Sequence, residues 1–367
     1  MVNLFWIFLK LGIVSFGGPA AHVALMEDEF VHRRQWLTRE KFLDLVGLTQ
    51  IIPGPNSTEL AIHIGYLRAG WWGFTLAGIA FILPAFCIVT AIAASYAIYG
   101  NLPTVHAFLS GAQAVVLGVI LIAFLRFFIS LLELKKFTDF FSGRLLSDPR
   151  RSVLAFILFM SAFLKVRGFS EIAILFNAAL IALFILRRFT PSRLHEGASL
   201  FLIFVKIGSL LFGSGYVLLT FLQSELIEKR SLITQTQLLD AITVGQFTPG
   251  PVFTTASFIG YLVDGLRGAT TATIGIFLPA FVFVALSIPL YKKFENSATF
   301  RMILDGVVAG SLGLLLFTLG SLGFSTLTSV ANLGLFAVTL LLLIKTRVPS
   351  AVLILSGGLC TFLLAQF

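Results

Sequence analysis

Residues 4–19 read LFWIFLKLGIVSFGGP and residues 200–215 read LFLIFVKIGSLLFGSG; further on, 44–55 read DLVGLTQIIPGP and 240–251 read DAITVGQFTPGP. Superposed at one constant offset, residues 4–62 and 200–258 agree at about 18 of 59 positions, well above chance, so the chain carries an internal duplication. After one deletion the match resumes, with IGYLRAGWWG (64–73) over IGYLVDGLRG (259–268) and FILPAF (81–86) over IFLPAF (276–281). It continues weakly through Gly111/Gly306 and Gly118/Gly313, and past a second gap each copy closes on a segment turned at a Lys-x-Arg, 165–167 and 345–347. The chain reads as a first repeat over 1–188, a basic linker over 189–199 and a second repeat over 200–367.

Composition identifies the solvent. Of 367 residues, 57% are hydrophobic and 12% charged, with a mean hydropathy of +0.98; a soluble domain carries about twice that charge fraction. Apolar stretches at 73–98, 107–125, 268–290 and 306–324 are close to the ~20 residues that cross a bilayer as a helix. Lipid offers no partner to open backbone groups, so the spans are helical, and the lack of period-2 alternation excludes a barrel. The expected fold is an all-α polytopic membrane protein of two homologous repeats, placed in the plasma (inner) membrane. The N-terminus lacks the basic start of a removable signal peptide, and Lys10 interrupts its apolar run. Cys87 and Cys360 lie in apolar segments without partner spacing and read as core residues. No metal, cofactor, catalytic residue or nucleic-acid partner is expected. The net charge of +9 reads either as positive-inside loops or as an excess that draws anions to the protein.

The start of each repeat differs from its remainder. Apolar runs there are short, and Gly or Pro ends them: Phe16-Gly17-Gly18-Pro19 in one copy, Phe212-Gly213-Ser214-Gly215 in the other, then Pro53-Gly54-Pro55 and Pro249-Gly250-Pro251. Thr38 and Thr234 read as N-caps of the intervening segments. Paired interruptions at matching places in two halves mark a transporter binding site, and broken helix N-termini favour an anion. The competing reading is that Pro and Gly only kink or pack these helices.

Polar residues shared by both copies are few. Lys10 and Lys206 stand in the middle of short apolar helices, seven residues before Gly17 and Gly213, hence on the same face. A lysine at membrane depth costs about 2.5–3.5 kcal/mol unless paired or hydrated, so two of them either meet a dianion between the repeats or snorkel outward. Glu29 and Arg33, like Glu225 and Lys229, are four apart, which supports a helix. With Arg34 and Arg230 they form an interfacial cluster or a gate. Asp44 and Asp240 either take a coupling proton or pair with Arg34 and Arg230. Gln50 and Gln246, beside the triplets, hold an oxyanion or satisfy loose backbone; Asn56 follows the first triplet directly. His22, Glu59, His63 and Arg126 have no counterpart of the same type, so a role for them makes the halves unequal.

These motifs together resemble the chromate ion transporter family. The likeness rests on Phe16–Pro19, Glu29–Val31, Arg33–Leu37, Gln50 and Pro53–Pro55 in the first half, and on Gly213, Gly215, Tyr216, Gln246 and Pro249–Pro251 in the second. It covers both repeats, as in a long-chain, two-domain member, and departs at Asn56-Ser57-Thr58-Glu59, where a Gln is expected nearer the following Leu. The resemblance implies chromate export with sulfate as isosteric competitor and repeats of opposite topology; protons as a coupling ion, through Asp44 or Asp240, and an oligomeric assembly stay open on the residues themselves. A membrane-embedded transferase is the rival in another class, but it needs clustered carboxylates or His/Asp groups, and the acids here are dispersed. A gated channel is a third reading, which saturable flux and counter-transport would exclude.

Overall fold

Helices run in the order α1 (Val2–Val14), α2 (Pro19–Glu27), α3 (Arg39–Thr49), α4 (Asn56–Tyr99), α5 (Pro103–Leu131) and α6 (Pro149–Val166) in the first repeat. The second holds α7 (Leu200–Leu210), α8 (Leu218–Leu222), α9 (Gln235–Phe247), α10 (Thr255–Phe294), α11 (Ala298–Thr326), α12 (Val330–Lys345) and α13 (Ser350–Leu364). This computed structural model describes residues 2–16, 18–49, 52–132, 149–167, 169, 173–175, 178, 200–211, 218–294, 298–346 and 348–366. Gly17, Gln50, Gly213, Gly215 and the linker 189–199 lie outside the described residues.

Local chemistry sets the boundaries. Helix α1 stops at Ser15, whose hydroxyl donates back to the Leu11 carbonyl at 2.5 Å. Gly18 takes φ 80°, and Pro19 then opens α2 from its first turn. Both α2 and α8 widen into π-helical turns, Asp28–Arg33 and Gln223–Glu228. Thr38 and Thr234 do cap α3 and α9: the Thr38 hydroxyl accepts from the Lys41 amide at 3.2 Å, and Thr234 forms a reciprocal capping box with Gln237. Pro55 and Pro251 stand at the cap positions, just ahead of the first helical turn.

The two longest elements are hairpins. In α4 the backbone leaves the helical region at Ala69 and Gly70 (φ 58°), and in α10 at Asp264 and Gly265 (φ 52°). The chain reverses there. A Cβ on Gly65 would collide with the Gly73 carbonyl, and one on Gly260 with the Gly268 carbonyl, although residues eight apart in a straight helix lie about 12 Å from each other. Glycine alone takes these positive φ values without strain, and the paired glycines let the arms meet backbone to backbone. Each hairpin joins a short arm (56–68; 255–263) to a long one (71–99; 266–294). The first short arm is about 20 Å long and cannot cross the hydrocarbon; its long arm, about 43 Å, can. The sequence pattern placed breaks at Pro-Gly-Pro, and the reversals at 69–70 and 264–265 are additional.

The repeats interdigitate. Helix α6 of the first repeat packs on α11 of the second, while α12 and α13 of the second pack on α5 of the first. The Thr361 hydroxyl donates to the Ala107 carbonyl at 2.6 Å, and the Asn332 amide to Ser110 Oγ at 3.0 Å. Equivalent glycines permit the exchange on both sides: Gly118 abuts Thr339, and Gly313 abuts the Leu158 carbonyl. One apolar core therefore runs through both copies, including Val116, Phe124, Leu158, Phe204, Leu222 and Leu315. Around it, Ile79, Leu83, Phe156, Phe163, Ile274, Val282, Leu341 and Leu359 face outward, as a lipid-facing belt requires. Helices at Asn56–Tyr99, Pro103–Ile129, Val252–Ile288 and Asp305–Thr326 are long and apolar enough to cross a bilayer, and no strand occurs among the described residues. The chain is an all-α polytopic membrane protein built from repeats.

Gly65→Val should force the two arms apart, at about 1–3 kcal/mol. The expected outcome is loss of the monodisperse peak in detergent gel filtration and a lower unfolding midpoint. Gly320→Ala, where nothing lies within 4 Å of the new methyl, should leave both unchanged.

Candidate functional site

Two hydrogen bonds tie the broken segments together across the repeats. The Gly54 amide donates to the Leu211 carbonyl at 2.7 Å, and the Gly250 amide donates to the Ser15 carbonyl at 2.9 Å. In the sequence superposition Gly54 matches Gly250 and Ser15 matches Leu211, so the bonds are images of each other under a pseudo-two-fold. Each Pro-Gly-Pro grips the end of the other repeat's first helix. The neighbourhoods match as well: Gly54 (φ 141°) lies against the Ala280 methyl, and Gly250 (φ 87°) against that of Ala85.

Behind each triplet a short arm begins. Thr58 and Glu59 amides return to the Pro55 carbonyl at 2.7 and 3.1 Å, and the Thr254 amide returns to Pro251 at 3.0 Å. The preceding amides of Asn56 and Ser57, and of Val252 and Phe253, are first-turn groups with no partner inside their helix. Two positive helix ends thus begin at the inter-repeat crossing, among buried residues: Ser57, Thr58, Glu59, Gln246, Thr248, Thr254 and Ser257. Glu59 is fully buried, and neither carboxylate oxygen has a hydrogen-bond partner. Nearby His22 bonds through Nε2 to the Ser15 carbonyl at 3.1 Å, and its Nδ1 has no partner.

The paired lysines stand elsewhere. Gly12 and Gly208 press against the long arms at Pro84 and Pro279, and Lys10 and Lys206, two residues earlier, project from the opposite face. Each meets the π turn of its own repeat. Lys10 lines a cleft of about 250 Å³ with Trp6, Asp28, Glu29, Arg33 and Arg34. Lys206 Nζ lies 2.9 Å from Glu225, which also binds Lys229 at 2.8 Å and Arg230. Burial alone would raise the Glu225 pKa, but hydrogen bonds from Lys229, Lys206 and Arg230 outweigh it and bring it from 4.5 to about 2. Three cations thus gather on one carboxylate. The first repeat is looser: Arg34 meets Glu29 at 2.5 Å, while Arg33 turns to Asp28 at 2.8 Å and not to Glu29 four residues earlier.

The structure thus joins Lys206, Glu225 and Arg230 in one cluster and Lys10, Glu29 and Arg34 around one cleft. Separately, it joins the two Pro-Gly-Pro triplets, Pro53–Pro55 and Pro249–Pro251, to the opposite repeat's broken ends through Gly54 and Gly250, with Asn56 next in the chain after the first and Gln246 buried ahead of the second. Gly18 and Pro19 begin α2. Asp240 does not pair with Arg230: it accepts from Tyr96 at 2.6 Å and from Gln113 at 2.7 Å, linking α9 to the first repeat. Asp44 is only half-buried. Tyr96 and Gln113 escaped the sequence reading because neither stands out in the superposition of the repeats. Among the described residues no three His, Cys, Asp or Glu side chains gather as metal ligands.

Comparison with known proteins agrees with this duplicated layout. The chromate transporter family model matches residues 2–184 and again 198–362. The chain is 31% identical to the chromate transport protein of Cupriavidus metallidurans, over 96% of this chain and 90% of that one. It is 30% identical to a probable chromate transport protein of Synechococcus elongatus, over 92% and 88%. Over 97% and 92% it is 29% identical to an uncharacterized transporter of Methanocaldococcus jannaschii. No solved structure matches.

Glu225→Gln leaves three cations without their buried counter-charge. It should cost about 1–3 kcal/mol, less than a fully buried pair because the lysines reach solvent; Glu29→Gln, in the looser cluster, should cost less. Because the Glu225 pKa is depressed, its contribution is present above pH ~4.5 and lost as pH falls towards about 2. Thermal unfolding against pH should show that acid-side loss in wild type and not in Glu225→Gln.

Proposed function

Because the chain belongs to the chromate transporter family, we propose that it carries chromate, a tetrahedral dianion, out of the cytoplasm across the plasma membrane by alternating access. Family membership makes it a transporter and not an enzyme, which sets the transferase reading aside.

The observation that carries the substrate reading is the reciprocal crossing, Gly54 to Leu211 and Gly250 to Ser15. Each bond sets the buried start of one short arm against the broken end of the other repeat's first helix, and in this reading the two starts face one anion. Each helix N-terminus supplies roughly half a positive charge, so two offset about half of a dianion's charge. Incomplete neutralisation suits a carrier, which must release what it binds. Amides offered from two helix ends would suit a tetrahedral oxyanion, whose oxygens point in four directions. In this reading the free first-turn amides of Asn56, Ser57, Val252 and Phe253, with the Gln246 side chain, form that seat, and Gly54 and Gly250 hold it in place through their bonds to Leu211 and Ser15. Lys10 and Lys206, with their π-turn partners, draw anions towards it as charged gates. The pseudo-two-fold lets the same contacts form from either side, as alternating access between matched repeats requires. Sulfate has the same shape and charge and is the competing substrate.

Proteoliposomes or inverted vesicles offered labelled chromate and sulfate, separately and together, test this. Saturable transport with mutual competition is expected. Gly54→Ala and Gly250→Ala should each abolish it, and Lys10→Ala and Lys206→Ala should each slow it about tenfold, near 1.4 kcal/mol. Detergent gel filtration confirms that each variant is folded. Failure of wild type to move either anion would overturn the substrate; unchanged transport in both lysine variants would overturn their gating role.

A further inference from the structure

We propose that Glu59 binds a proton together with the anion, making the carrier a proton–anion symporter; this rests on the seat described above. Glu59 sits in the first turn of its short arm, fully buried, with both carboxylate oxygens unbonded. Its Oε1 lies against the Gly54 Cα, where any Cβ would collide with it, so the carboxyl is held beside the crossing. The equivalent residue, Thr255, spends its hydroxyl on the Val252 carbonyl at 2.8 Å. The second repeat thus has no such acid.

A carboxylate without water or donors is not sustained as an ion. It has two ways to be satisfied: carry a proton, or turn to the first-turn amides of Asn56 and Ser57, the nearest positive end. Those amides are also the proposed seat of the dianion. Two negative groups cannot share them in a dry site, so one excludes the other. When the dianion takes the amides, the Glu59 carboxylate takes one proton from water on the open side and becomes a neutral carboxylic acid. Release reverses both steps, returning the proton to water on the other side. One proton moves with each dianion, leaving one net negative charge transferred.

Among the described residues, no titratable group on the elements packed around this arm bonds to Glu59, although His22 keeps its Nδ1 unpartnered. On the same arm, His63 faces Ser287 at 3.4 Å, and Arg68 is exposed over Trp36. His22 of α2 is bound to Ser15, and Glu29 of its π turn to Arg34. Lys10 of α1 lines its own cleft; on α3, Arg39, Glu40 and Lys41 are exposed and Asp44 half-buried. Asp240 of α9 is held by Tyr96 and Gln113, and Asp264 and Arg267 of α10 are exposed. None bonds to Glu59.

The test adds sulfate, which stays a dianion throughout the range, to purified full-length protein in weakly buffered detergent solution containing a pH indicator, between about pH 5 and 9. Wild type should take up close to one proton per bound sulfate in part of that range, and above it the affinity should fall about tenfold per pH unit. Glu59→Gln, isosteric and neutral, should bind sulfate without proton uptake and with pH-independent affinity. Sulfate binding by wild type without proton uptake at every pH overturns the inference and leaves the substrate reading standing, and needs no variant. Proton uptake persisting in Glu59→Gln overturns it too. Absence of binding of both sulfate and chromate to wild type removes the substrate reading and this inference with it.

Discussion

The structure depends on one kind of contact made twice: a glycine amide in a Pro-Gly-Pro turn donating to the last free carbonyl of a helix in the other repeat. A helix ended inside a membrane leaves carbonyls that lipid cannot satisfy. Ser15 and Leu211 are such ends, and the amides of Gly250 and Gly54 are the donors that meet them. Proline on either side of each glycine has no amide to compete, and positive φ at the glycine turns its N–H outward. Each repeat thus supplies a donor to the broken end of the other, and at Ser15 the His22 ring nitrogen adds a second partner from the same repeat.

Close backbone approach does the rest. The hairpin arms meet at Gly65 and Gly73 and at Gly260 and Gly268, the first helices meet the long arms at Gly12 and Gly208, and the exchanged helices meet at Gly118 and Gly313. In lipid there is little hydrophobic gain from bringing two apolar helices together, so dispersion between close backbones has to supply the attraction. Glycine is the residue that permits it. The price is conformational freedom, and tight packing on every side of these positions offsets it.

Symmetry in the scaffold frames the differences in the chemistry. Glu225 gathers three cations where Glu29 has one, Asp240 is locked to Tyr96 and Gln113 where Asp44 is half-exposed, and Glu59 stands where the second repeat has Thr255. In an alternating-access carrier, as proposed above, a perfect two-fold would give both membrane-facing states the same free energy and the same ion affinity. In that carrier, these three inequalities are where one state can be favoured over the other and a proton coupled to the anion.

Much of this was legible in the residues. Hydropathy, the register of the two copies, the caps at Thr38 and Thr234 and the breaks at Gly18 and Pro-Gly-Pro are local properties, and local propensity fixes them within a few residues. The reversal at Ala69-Gly70 was not, because a continuous apolar run reads as one span, and it takes the backbone turn at Gly70 and the close approach of Gly65 to Gly73 to expose the hairpin. Nor were the partners of Lys206 and Asp240, or the solitude of Glu59. Which side chains meet depends on which face of each helix turns inward and which repeat supplies the neighbour, and those are decided when the two copies interlock. The sequence by itself determined a duplicated, broken-helix membrane protein; tertiary packing alone decided that each repeat completes the other, because the bonds that close the breaks cross between them.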